Sequence, residues 1–367
     1  MSIKCSEIID MMEKAAPLGL AEDWDNPGLA VGDIDAEVKN VMVCLDVTSA
    51  VADEAASRGV NMIISHHPLI FKPVKSLRVQ DSKGGLIHKL IKNGISVFCA
   101  HTNLDAAEKG LNYKLAQILG IREARPLKKD SIEELYKIVV FVPEDSLEKV
   151  RQALYASGAG HIGNYSDCTF SAIGEGTFTP LAGTNPYIGQ QGKLEKTAEY
   201  RLETIVPQNL LSKAVNNMLK AHPYEEPAYD IYKLELEGKT YGMSRVGELE
   251  KPVSIEEFAA SVKERLGLTY VRVIGGGRQV HKVAVASGGF DRDINVLVKQ
   301  NIDVLVTGDV KYNDAVDIIE NNKCVIDAGH FGTERIVVPL IEDMIRGQFP
   351  EINIISNTVE TDPYKLY

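Results

Sequence analysis

Two histidines stand side by side at His66 and His67, between the apolar run Asn61–Ile64 and Pro68. The run reads as a strand, and proline cannot extend its ladder, so pairing stops where the imidazoles emerge. Side chains alternate across a continuing strand, but where the backbone bends two neighbours can face one cavity. Twice more a strand-like run is followed by a histidine, three residues and an acid. His101 and Asp105 follow Ile95–Ala100, and His330 and Glu334 follow Cys324–Asp327. Each acid falls at the start of a helix, where free N–H groups and the macrodipole favour an ionised carboxylate. His66, His67, His330, Asp105 and Glu334 thus form a nitrogen and oxygen donor set without sulfur. Such a set suits divalent zinc or iron first, with manganese, cobalt or nickel as alternatives. Two adjacent imidazoles can serve one ion each, and two ions ~3.5–4 Å apart would share a water and lower its pKa. His101 is the sixth candidate, as a catalytic proton shuttle, a weak ligand or the partner of a ligand. His88, His161, His222 and His281 do not combine a preceding strand-like run with an acid at that spacing and are read as structural.

These residues must be delivered by strands and helices, and the pattern supplies them. Across residues 1–127, strands at Val41–Leu45, Asn61–Ile64 and Ile95–Ala100 alternate with helices at Ala50–Arg58, Leu86–Lys92 and from Asp105 to Leu119. Across 243–367, strands at Val283–Ala286, Asp303–Thr307 and Cys324–Asp327 alternate with helices at Ile294–Gln300, Asp314–Asn321 and from Thr333 to Met344. This βαβαβ rhythm predicts an α/β fold, three-layered, with a mixed and largely parallel sheet in each half. ASRGVNMIISHH runs parallel to VKQNIDVLVTGD, and LIHKLIKNGISVFCAHTNLD to AVDIIENNKCVIDAGHFGTE, which reads as an internal duplication. Residues 128–242 differ. Strands at Tyr136–Val142, Thr169–Ile173, Glu199–Ile205 and Ala228–Leu234, with helices at Ser146–Ala156 and Leu210–Ala221, predict an inserted ferredoxin-like α+β domain. Its Gly-rich stretch GEGTFTPLAGTNPYIGQQGK reads as loops that either bind a ligand or connect strands.

Bulk properties narrow the function. The 367 residues exceed one ordinary domain, and 44% hydrophobic content provides ample core. A formal net charge of −11 disfavours nucleic-acid binding, and Lys128 and Lys129 with Arg122 and Arg125 read as a solvated face. No apolar run is long enough to span a bilayer, and the first residues lack a signal-peptide pattern, so the expectation is a cytoplasmic protein. Five scattered cysteines without a CxxC pair exclude a thiolate zinc site, and Cys44, Cys99 and Cys324 read as core.

Weaker features lie near these motifs. Trp24, within Trp24-Asp25-Asn26-Pro27-Gly28, is an anchoring aromatic in a turn or a wall that stacks a base. Ser287-Gly288-Gly289 offers a loop with free N–H groups, without a P-loop lysine. Gly275-Gly276-Gly277-Arg278 reads as a hairpin turn with a solvated arginine. Asp309 sits where His66-His67 sits in the other half and faces the same cavity without being taken as a ligand.

Through IISHHPLIF, CAHTNLD, DAGHFGTE and EDWDNPGLAVGD, the chain resembles the GTP cyclohydrolase 1 type 2 homolog (NIF3-like) family over about 240 residues of its two outer regions. The resemblance implies a duplicated α/β core with a di-metal centre on His66, His67, Asp105, His330 and Glu334, with His101 close by. It also implies a homohexameric ring whose metal sites face an inner cavity, and, in long members, a middle domain resembling PII and CutA proteins. HPYEEPAYDI at 222–231 is similar to a CutA-type stretch. The family name suggests hydrolytic opening of the guanine ring of GTP. Two readings therefore stand: a metal-dependent hydrolase acting on a nucleotide or related heterocycle, or a non-catalytic metal-handling or regulatory ring that senses a small molecule through its middle domain.

Overall fold

A computed structural model describes residues 3–289 and 300–365. The chain divides into two compact units, Met1–Ser131 with Tyr241–Tyr367, and Ile132–Thr240. The helix expected over Ile294–Gln300 lies outside the described residues except for Gln300.

Among the described residues the first unit contains two large sheets of mixed direction with parallel centres, beside the short antiparallel pair Ile3–Lys4 and Glu37–Val38. In one, the strands run in the order Asn353–Ile354, Asn40–Cys44, Met62–Ser65, Ser96–Cys99, Gly28–Val31. The middle three are parallel, and Gly28–Val31 joins antiparallel at the edge. In the other, the order is Arg272–Ile274, Val325–Asp327, Val304–Gly308, Gln279–Gly289, Arg245–Ser254, Arg122–Pro126. Here the parallel centre is Gln279–Gly289, Val304–Gly308 and Val325–Asp327. The two sequence halves exchange edge strands: Asn353–Ile354 completes the first sheet and Arg122–Pro126 the second.

The central strands are buried on both faces, so their sequences are continuous apolar runs rather than alternating ones. Val41 and Val43 enter one cluster while Met42 and Cys44 enter another on the opposite face. The larger cluster also takes Val283, Val285, Val304 and Val306 from the second sheet, with Ile8, Leu115, Val262 and Ile341 from four helices. One continuous core therefore joins both halves, and each such side chain contributes roughly 1.5–3 kcal/mol on burial.

Two expected helices are broken. The stretch from Asp105 to Leu119 forms Thr102–Ala106 and Leu111–Ile118. Gly110 passes so close to the Leu104 carbonyl that a Cβ there would lie 1.8 Å from it, so the chain must turn between them. The buried Arg245 guanidinium holds the break by donating to the Ala106, Ala107 and Gly242 carbonyls. The helix expected from Thr333 starts earlier, as His330–Glu334, and resumes as Val337–Gln348. The glycine-rich stretch at 275–277 is not a hairpin turn. Arg272–Ile274 pairs with Val325–Asp327 at the sheet edge, and two strands separate it from Gln279–Gly289. Arg278 is not solvated but half-buried, donating to the Asn322 carbonyl.

The second unit is a four-stranded antiparallel sheet in the order Tyr229–Tyr241, Ser131–Pro143, Glu195–Pro207, Thr169–Phe178. Gly174 and Gly176, which open the Gly-rich stretch, lie inside the strand Thr169–Phe178 rather than in a loop. Ile138, Val140, Val142, Leu202 and Val206 pack one face against helices Leu147–Tyr155 and Gln208–Ala221. Phe141 and Arg201, paired across the register, project from the other face into a cavity of about 730 Å³. Among the described residues no helix is long and apolar enough to cross a membrane.

Candidate metal centre

The strand Met62–Ser65 stops just before His66, yet the ladder runs on through His66 N–H to the Cys44 carbonyl and His67 N–H to the Leu45 carbonyl. The two rings lie 5.3 Å apart at 38°. Both Nε2 atoms reach the space at the carboxyl end of the first sheet, where α/β folds place ligands. His101 caps the helix Thr102–Ala106, which carries Asp105 one turn on. His330 opens the helix His330–Glu334, so that its Nε2 and Glu334 Oε2 meet at 2.8 Å across one turn.

The sites converge. His67 Nε2 lies 2.9 Å from Glu334 Oε2 and 3.4 Å from His330 Nε2. His66 Nε2 is 3.6 Å from Asp105 Oδ1 and 3.8 Å from Glu334 Oε1. Donor atoms of His66, His67 and His101 fall within 4.8 Å of one another, as do those of His67, His330 and Glu334. Two groups able to hold a metal ion thus share His67. His101 stands among the donors as well as beside them, which sequence spacing left open.

Each imidazole is fixed by an oxygen at Nδ1, leaving Nε2 free for the centre. His66 donates to the Ala100 carbonyl at 2.9 Å, His67 to Asp46 at 3.1 Å, His101 to Asp25 at 2.8 Å and His330 to Asp309 at 2.8 Å. This is how metal-binding histidines are oriented and their basicity raised. Asp46 and Asp25 were missed as site residues in the sequence, although Asp25 lies in the Trp24 turn. Their one signal is position: Asp46 follows the strand Asn40–Cys44 as Asp309 follows Val304–Gly308. Asp46 is itself positioned by Glu360, whose carboxylate accepts from the Leu45 and Asp46 N–H groups. Trp24 packs edge-on to His101 at 6.1 Å and against Phe71 at 5.8 Å, and both aromatics are largely exposed at the rim.

The Ser287-Gly288-Gly289 segment makes room for the carboxylates. A Cβ on Gly288, whose φ is +71°, would sit 2.2 Å from Glu334 Oε1. Gly308 is equally constrained, because a Cβ there would lie 2.6 Å from His330 N. Gly288 N–H donates to Thr333 Oγ1, and the Ser287 hydroxyl lies 3.4 Å from Asp105 Oδ1.

Electrostatics mark the space as one for cations. Burial pushes the Glu334 carboxyl up, but hydrogen bonds from His330 and His67, with the nearby His66 ring, outweigh it and hold it well below the carboxylate range. Burial depresses His67, yet Asp46 and Glu334 raise it to about 10. The Glu334 hydrogen bond outweighs burial at His330 and raises it to about 9. Burial also opposes ionisation at His66, but Asp105 and Glu334 raise its pKa. Asp105 itself is pushed up by burial and by Glu334. Without a metal, protons on these rings balance the buried carboxylates. His66 Nε2 remains buried with no hydrogen-bond partner, a costly arrangement that a metal–nitrogen bond would relieve. The donor set and this orphaned nitrogen fit a metal ion.

A family model described as Duf34/NIF3 (NGG1p interacting factor 3) matches residues 3–363. A Halalkalibacterium halodurans protein named GTP cyclohydrolase 1 type 2 homolog is 40% identical over 362 residues, 97% of either chain. A Bacillus subtilis protein of the same name is 39% identical over 371 residues, 99% of this chain and 98% of that one. The crystal structure of a Bacillus cereus protein related to NIF3 superposes with a TM-score of 0.90 at 39% identity, covering 100% of both chains.

Proposed function

Since this chain belongs to the Duf34/NIF3 (NGG1p interacting factor 3) family, we propose that its histidine and carboxylate centre holds two divalent metal ions and hydrolyses a nucleotide or related heterocycle. Zinc and iron suit the donors first. One observation carries the reading: four imidazoles, each anchored at Nδ1 by an oxygen, turn Nε2 toward two buried carboxylates. His66, His67, His330, Asp105 and Glu334 are the ligands in this reading, with His67 placed between the two groups. Ions bound there would supply Lewis acidity and a nucleophilic water at neutral pH.

The chain's own residues supply the rest. His101, held by Asp25, carries a proton between the centre and the substrate. Burial opposes ionisation of Asp25, but His101 and Thr102 bring its pKa down to about 2, so the anchor stays an anion. Trp24 and Phe71 offer exposed aromatic faces on which a planar heterocycle can stack, beside His101. The relatives named GTP cyclohydrolase 1 type 2 homolog suggest guanine-ring opening as the first chemistry to assay. Turnover of GTP or another member of a nucleotide and cyclic-amide panel is expected from metal-loaded protein, lost in His67→Ala. Loaded protein inert across that panel refutes the hydrolase.

The cavity of the middle unit favours a second reading, a metal-handling or regulatory ring without turnover. The matching βαβαβ halves support an internal duplication, and the four-stranded sheet with two helices on one face supports a ferredoxin-like insertion. A ring of six copies completes the proposal, and native mass measurement tests it.

A further inference from the structure

We propose that the cavity on the helix-free face of the middle sheet binds a small organic cation, an ammonium group carried on an apolar or aromatic body. The site is separate from the metal centre in its residues, and the inference stands whether or not that centre is catalytic. Aromatic rings of Phe141, Phe178, Tyr187 and Tyr224 stand among its walls. Phe178 and Tyr224 lie with ring centroids 6.2 Å apart, and Tyr187 and Tyr224 6.0 Å apart. Phe141 forms part of the floor beneath the Arg201 guanidinium. The loop over the cavity is tied down: Tyr187 donates to Asp145 at 2.9 Å and the Asn185 N–H to Glu225 at 2.9 Å.

The charge balance selects the ligand. Glu175, Glu199, Glu225 and Glu226 line the cavity, against Arg201 alone among cations. Arg201 is already engaged by Glu203 at 2.6 Å, and Glu175 by Lys196 at 2.8 Å. Glu199 is different. It is only 8% exposed, and among the described residues no lysine or arginine forms an ion pair with it. Gly176 leaves the space its carboxylate occupies, since a Cβ there would lie 2.2 Å from Glu199 Oε2. The adjacent Tyr224 hydroxyl is buried without a hydrogen bond of ordinary geometry. Burial, then the adjacent Glu199 carboxyl as an acceptor, pushes its pKa up to about 12, so it remains a neutral donor and acceptor. A buried carboxylate lacking a counter-ion is costly, and an ammonium ion among π faces supplies the missing charge. An anionic nucleotide would face four carboxylates and is rejected by the same field.

Titration calorimetry of the full-length chain with benzylammonium, benzyl alcohol and benzoate tests this. Benzylammonium is expected to bind with a Kd of about 1 mM or tighter, about tenfold tighter than benzyl alcohol, with benzoate silent. Glu199→Gln should erase the tenfold preference while leaving alcohol binding. Tyr187→Ala, at a half-exposed position outside the core of the unit, should weaken the cation severalfold. The proposal is overturned if benzylammonium binds no better than the alcohol or benzoate, or if nothing binds at about 10 mM. It also fails if the preference survives Glu199→Gln or, should that variant not fold, if Tyr187→Ala leaves the affinity unchanged.

Discussion

His67 Nε2 and Glu334 Oε2 lie 2.9 Å apart although 267 positions separate them in the chain. Neither half of the first unit contains the centre alone. The exchanged edge strands and the shared core bring the two halves to one rim, and the pair marks where they meet.

Glu334 touches His67 and His330 and approaches His66, so it should dominate metal retention. Glu334→Gln keeps the shape but removes the charge. The expected result is loss of metal affinity on the order of 100-fold or more, with the fold intact by circular dichroism. Competition with a chromophoric chelator reads it directly.

The outer acids should matter less, and selectively. Asp46→Asn and Asp309→Asn each leave a ligand's Nδ1 without its anionic partner. Metal affinity should fall roughly 10–100-fold in each. Both side chains are half exposed, so metal-free protein should keep its fold and lose no more than about 1–3 kcal/mol with the one charge-assisted hydrogen bond. An equal loss of fold and metal would mean these acids act on packing instead.

Gly288 and Gly289 form a matched pair. Gly288→Ala places a methyl group against Glu334 at a left-handed φ, whereas a Cβ on Gly289 meets nothing within 4 Å. Gly288→Ala should cost about 1–3 kcal/mol in urea unfolding and reduce metal loading, with Gly289→Ala near wild type.

Proton linkage follows from the raised imidazoles. With pKa values of about 10 and about 9, His67 and His330 are protonated in metal-free protein at pH 7.5. A metal must displace those protons, so affinity rises with pH up to that range. Calorimetry in two buffers of different ionisation enthalpy should show about two protons released per chain. Because both folded pKa values exceed the unfolded value near 6.5, their contribution to metal-free stability is complete below pH ~6.5 and disappears as pH rises through 9–10. Metal-free protein that gains stability over that rise would contradict the assigned charges.

What was legible in the sequence follows physical lines. His66, His67, His101 and His330 announce themselves because strand ends and helix starts are local patterns, and the structure brings them together with Asp105 and Glu334. Asp25 and Asp46 did not, because an acid that steadies a distant ring has no signature of its own along the chain. Asp46 reaches His67 from the neighbouring strand, across 21 positions. The helix breaks near Gly110 and Glu334 were hidden for a similar reason. Close backbone approach and the clamp of Arg245, 139 positions from Ala106, override a periodic pattern that reads as continuous. The exchanged edge strands were invisible too, since pairing partners at a sheet edge depend on how the halves dock.

Metal content per chain, determined by elemental analysis of protein purified without added metal and repeated after chelation and reloading, tests the central claim most directly. The account predicts about two divalent ions per chain, falling below one in Glu334→Gln. A wild-type chain that takes up no ion, or that retains its full complement without Glu334, would contradict it.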